Sequence, residues 1–68
     1  MFKSKYRKVL EEIDKEIEEY KRLYRQYDES RLLLESSGEV YKLLSSGMHI
    51  CQHKLDALYA LRNNIQNI

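Results

Sequence analysis

Apolar residues recur along the first half of the chain with the alternating three- and four-residue spacing of a heptad repeat. This first stripe is made of Tyr6, Leu10, Ile13, Ile17, Tyr20, Tyr24, Tyr27, Arg31 and Leu34. Val9 and Leu23 lie beside the stripe and widen it, while charged residues fill the remaining faces. The pattern predicts an amphipathic helix from about Ser4 to about Ser36.

A second stripe with the same spacing occupies the other half. Its members are Tyr41, Leu44, Met48, Cys51, Leu55, Leu58, Arg62 and Ile65. It predicts a second helix from about Glu39 to about Asn67. Ser45, Ser46 and Gly47 lie inside this helix and could break it. The heptad keeps its phase across them, which favours a continuous helix whose small residues admit a neighbouring backbone.

The segment from Ser36 to Glu39 interrupts the pattern, and it predicts a turn at about 36–39. Gly38 could end the first helix in the left-handed conformation. Alternatively, Ser36 and Glu39 have the spacing of a capping box that would begin the second helix. Both interpretations place a break between the helices here.

Two helices of similar length with a short link predict an all-α fold, an antiparallel, coiled-coil-like two-helix hairpin spanning 1–68 as a single domain. One long continuous helix is the alternative. A chain of 68 residues buries little surface, and its single cysteine cannot form an internal disulfide. We therefore expect the hairpin to assemble into a four-helix bundle or to pair with a partner protein.

Charge is distributed unevenly between the halves. Residues 1–37 contain nine Lys or Arg and nine Asp or Glu, whereas residues 38–68 contain three and two. Residues 55–61 are apolar nearly all round the helix, and Leu43, Ile50, Leu61 and Ile68 lie off the main stripe. Such a helix is normally buried, so its own twin or another protein would cover it. A hairpin with a few exposed leucines is the simpler alternative.

These patterns predict a partner interface that combines the second helix with the tyrosines of the first. Its candidate residues are Tyr20, Tyr24, Tyr27, Leu44, Met48, Leu55, Leu58, Tyr59, Leu61 and Ile65. Tyrosine suits interfaces because its ring can be buried while its hydroxyl reaches a partner or water. The alternative is that the tyrosines only fill the core.

No pattern of catalytic or metal-binding residues stands out. His49 and His53 share a helix face, but Cys51 points away from it, and two ligands are too few for zinc. Cys51 lies on the core stripe, where a thiol is inert. We therefore predict no enzyme activity, no cofactor, no metal and no small-molecule substrate.

Charge and hydropathy bear on whether the chain binds nucleic acid, a membrane or another protein. The net charge of +1 makes nucleic acid an improbable partner, although Lys21, Arg22 and Arg25 form a small basic patch. No apolar run approaches the roughly 20 residues of a membrane span, and a lone thiol fits the cytoplasm. The sequence thus predicts a cytoplasmic protein-interaction module, an adaptor, small chaperone or inhibitor. A homodimeric four-helix bundle that binds nucleic acid as a small regulator is the alternative.

Overall fold

The computed structural model describes residues 5–67, which form two α-helices and no strand. Helix α1 spans Arg7–Arg31 and helix α2 spans Glu39–Gln66. They run antiparallel and contact each other along their length, with residues 32–38 joining them. The molecule is rod-shaped, and its Cα trace extends over 53 × 14 × 11 Å. The predicted all-α helical hairpin is confirmed.

The two heptad stripes face each other and form the seam between the helices. Ile13, Ile17 and Leu55 make its central cluster, and each is at most 6% exposed. Met48 and Cys51 are also buried. The half-buried stripe residues are Tyr6, Leu10, Tyr20, Tyr24, Tyr27, Arg31, Tyr41, Leu44, Leu58, Arg62 and Ile65. The stripes therefore predicted the seam, including the two arginines within it.

Helix α1 ends at Arg31, so the prediction that it continues to about Ser36 was wrong. The backbone N–H groups of Leu33 and Leu34 donate to carbonyls three residues earlier, at 3.2 and 3.0 Å, which tightens the chain out of the α-helix. The Arg31 guanidinium lies 5.8 Å from the ring centre of Tyr41, in the first turn of α2. Past that contact α2 offers no surface on which α1 could continue, and Leu34 is 44% exposed.

The turn signals located the break between the helices but not its geometry. Gly38 is the N-cap of α2 with φ −74° and ψ 153°, an extended conformation rather than a left-handed one. The capping box from Ser36 is absent too, because α2 begins at Glu39 without a side-chain cap. The Gly38 carbonyl instead accepts a hydrogen bond from the Lys42 N–H at 3.2 Å. The link therefore spans 32–38 rather than 36–39.

Helix α2 is continuous through Ser45, Ser46 and Gly47, so the alternative with a second break is excluded. The Tyr27 ring of α1 packs directly on Gly47. A Cβ atom at this position would lie 3.0 Å from Tyr27 Cε2 and 3.2 Å from Cδ2. The missing side chain thus admits an aromatic ring, where the sequence predicted the approach of a backbone.

Candidate functional site

The predicted interface residues fall into two groups according to their exposure. Met48 and Leu55 are buried between the helices, at 7% and 6% exposure. Half-buried in the same seam are Tyr20, Tyr24, Tyr27, Leu44, Leu58 and Ile65. Tyr59 and Leu61 are exposed, at 42% and 47%. The hairpin itself therefore uses most of these side chains, and a partner of the closed hairpin could reach chiefly the last two.

A different set of apolar side chains lies on the outer side of α2. Leu43, Ile50 and Leu61 are 65%, 59% and 47% exposed. With 3.6 residues per turn, these three and the exposed Ala57 project within a sector of roughly 40°. Lys54 is the charged residue among them. The apolar residues off the main stripe were the sequence signal for this sector; Ile68 lies outside the described residues.

Helix α1 contributes apolar residues to the same side of the rod. Leu23 precedes Tyr27 by one helical turn and Val9 precedes it by five, so all three project in similar directions. Because Tyr27 contacts Gly47 at the edge of the α2 sector, both helices turn these residues to one side. Val9 is 43% exposed and Leu23 is half-buried.

We call this side the apolar face and define it by Val9, Leu23, Leu43, Ile50 and Leu61. It carries charge of both signs, at Glu16 and Lys54. Neither of these side chains forms an ion pair with a described residue. Lys5 and Glu39 project in the directions of Leu23 and Ala57, so further charge lies toward the ends of the face. The face therefore offers apolar surface interspersed with charges of both signs.

Polar contacts between the helices lie along the opposite side, which we call the polar edge. Arg62 Nε lies 2.7 Å from Asp14 Oδ1, with its N–H poorly aligned, so the contact is an ion pair rather than a good hydrogen bond. Lys21 Nζ lies 6.0 Å from the centre of the Tyr59 ring. The neighbouring Tyr59 hydroxyl, and after it the Glu18 carboxylate, raise the pKa of Lys21.

The predicted basic patch lies on the outer surface of α1 around a shallow depression of about 290 Å³. Lys21 lies 3.7 Å from Glu18, and Arg22 is paired with Glu19. Arg25 is the third basic residue in the lining. Acids one turn away thus offset two of the three positive charges, which weakens the attraction of this surface for phosphate groups.

Comparison with known proteins found no family model that matches the chain. It also found no curated protein and no solved structure with significant similarity to the chain.

The histidines and the cysteine of α2 do not lie together. His49 and His53 are exposed on α2, whereas Cys51 is buried in the seam at 3% exposure. Within 5–67, no three side chains of His, Cys, Asp or Glu come together in a way that could hold a metal ion. Neither helix is long and apolar enough to cross a membrane. Besides the apolar face, the described residues expose the large apolar side chains of Leu32, Leu33, Leu34, Val40 and Tyr59.

Proposed function

We propose that this chain is a non-catalytic protein–protein interaction module, an adaptor, small chaperone or inhibitor, whose contact surface is the apolar face. The observation that carries the proposal is the exposure of Leu43, Ile50 and Leu61, at 47–65%, along one side of a single helix. Large apolar side chains that repeat along one exposed side of a helix suit contact with a partner helix. The proposal includes a cytoplasmic location, which the lone thiol of Cys51 supports.

The spacing of the face suits a helical occupant. Leu43, Ile50 and Ala57 follow one another at seven-residue intervals, and Leu61 comes one turn after Ala57. A helix lying along this line would bury them together, as in other helix-in-groove contacts. Covering the exposed part of each large side chain contributes roughly 1 kcal/mol, since full burial contributes about 1.5–3 kcal/mol. A weak to moderate affinity follows.

The nucleic-acid alternative has less support. The basic residues near Tyr24 are largely paired with acids on the same helix, and the net charge is only +1. Nucleic-acid binding relies on unpaired Lys and Arg that replace counterions on phosphates. We therefore place the contact surface on the apolar face and not on the outer surface of α1.

Site-specific photo-cross-linking tests this proposal. A photoreactive phenylalanine analogue replaces Ile50 in the full chain, and a matched chain carries it at Glu11, an exposed position of α1 away from the face. After irradiation in cell extract, we expect discrete covalent protein adducts from position 50 and none above background from position 11. Equal labelling from both positions, or none from position 50, would contradict the proposal.

A further inference from the structure

We propose that the occupant of the apolar face is a second copy of this chain, bound antiparallel so that two hairpins form a four-helix bundle. This inference rests on the proposed function and specifies its partner. The thinness of the hairpin, the size of its apolar face, and the placement of charge on that face support it.

The hairpin alone has very little interior. Its Cα trace extends only 14 Å by 11 Å in cross-section, and no large side chain in the described range is fully buried. The buried hydrophobic residues are Ile13, Ile17, Met48, Cys51 and Leu55. Stable domains place two packed layers around a core, and small chains often gain the second layer by oligomerisation. A second hairpin would supply that layer.

The apolar face is large enough for a modest dimer. Leu43 and Leu61 are 18 positions apart, roughly 27 Å along the helix at 1.5 Å per residue. Two helices side by side are roughly 20 Å wide, which gives a footprint of roughly 500 Å² per copy. Specific interfaces bury about 800 Å² per partner, and weak ones bury less than about 600 Å². We therefore expect a dimer that dissociates on dilution.

The charge on the face favours antiparallel pairing. In a parallel pair, Lys54 would lie against Lys54 of the second copy, and like charges repel. In an antiparallel pair, the two α2 helices can cross so that residue 52 of one copy lies level with residue 52 of the other. This register places Leu43 opposite Leu61 of the second copy and Lys54 opposite Ile50. The aliphatic part of a lysine can cover an isoleucine while its ammonium group stays in water.

Overall charge does not oppose the pairing of two copies. Each chain carries a formal net charge of only +1, so long-range repulsion between copies is small. An identical partner therefore matches the apolar surface and its length.

Light scattering after size-exclusion chromatography tests the dimer across a dilution series from about 500 µM to about 5 µM, a range that brackets micromolar association. We expect twice the chain mass at the highest concentration, falling toward a single chain on dilution. Ile50→Lys should weaken association at least about tenfold. The matched control is Leu33→Lys, which also replaces an apolar residue by lysine but at an 86% exposed position in the link. This control should associate as the wild type does. Circular dichroism would verify that both variants keep their helical content.

Cysteine cross-linking tests the orientation in a Cys51→Ala background. Leu43→Cys and Leu61→Cys chains are oxidised separately and as a mixture. An antiparallel pair predicts efficient disulfide formation only in the mixture, between position 43 of one chain and position 61 of the other. Efficient self-cross-linking of Leu43→Cys would show parallel pairing and overturn the proposed arrangement.

The outcomes separate this inference from the proposed function. A wild-type chain that stays monomeric throughout, while position 50 cross-links to a different protein, overturns the dimer and leaves the interaction function intact. A monomer without adducts at position 50 overturns both. A dimer that Ile50→Lys leaves unchanged shows that copies associate through another surface, which also overturns this inference.

Discussion

The packing of Tyr27 on Gly47 leads to a prediction about the substitution Gly47→Ala. In an ordinary helix this change stabilises by about 1 kcal/mol, because glycine loses more backbone freedom than alanine on folding. Here the new Cβ atom would lie 3.0 Å from Tyr27 Cε2, whereas carbon atoms pack comfortably at about 3.5–4.0 Å. The ring would have to move by roughly 0.5 Å, and such overpacking costs about 1–3 kcal/mol. We expect Gly47→Ala to be neutral or destabilising by up to about 2 kcal/mol.

Removing the ring should reverse this outcome. In a Tyr27→Ala background the three atoms nearest to the new methyl group are gone, so Gly47→Ala should recover its gain of about 1 kcal/mol. The double-mutant cycle then gives a coupling energy of roughly 1–3 kcal/mol between the two positions. Urea unfolding followed by far-ultraviolet circular dichroism measures each stability. All samples need the same protein concentration, because association adds to apparent stability.

Ser46→Ala is the matched control for this cycle. Ser46 is exposed, next to Gly47 in the same helix, so its substitution should give the same small gain with or without the Tyr27 ring. If Gly47→Ala stabilised the wild-type chain by the same amount as the Tyr27→Ala chain, the ring could not rest on Gly47 in solution. The register of the hairpin derived from that contact would then be wrong.

Two further predictions concern the polar edge. Asp14→Asn should lower the free energy of unfolding by only about 0.2–1 kcal/mol, because its contact with Arg62 is partly exposed. This loss of stability should be absent in an Arg62→Met background. Urea titration at low and high salt would measure both effects. The raised pKa of Lys21 means that its interaction with Tyr59 stabilises the folded chain below the ordinary lysine pKa and is lost as pH rises through the raised value. The stability difference between wild type and Tyr59→Phe should therefore shrink once the pH exceeds the raised pKa of Lys21, and a difference that persisted there would contradict the assigned contact.

The sequence predicted the seam well because burial on one side of a helix imposes a strict period. Arg31 and Arg62 occupy stripe positions and are half-buried, as the heptad spacing requires. Arg62 reaches Asp14, and Arg31 lies over the Tyr41 ring. The spacing specified which positions face inward, and a long side chain with a polar end can occupy such a position when its charged group finds a partner at the rim.

The end of α1 and the contact surface were less predictable. Local turn signals placed the break between Ser36 and Glu39, but the position at which α1 stops depends on where α2 begins. Similarly, Met48 and Leu55 are apolar residues of an apolar helix, and the sequence could not show that α1 covers them rather than a partner. Distinguishing the seam from the outer face requires the angle at which the two helices meet, which contacts such as that of Tyr27 with Gly47 define.

Polar contacts lie on one side of the hairpin and apolar surface lies on the other. This separation affects how the sequence of such a chain can evolve. Asp14, Arg62, Lys21 and Tyr59 join the helices along an edge that a molecule docked on the apolar face need not touch. Substitutions at Leu43, Ile50 or Leu61 can therefore alter the choice of partner while the pairing of α1 with α2 persists. A two-helix scaffold divided in this way can acquire new binding specificities without having to rebuild its fold.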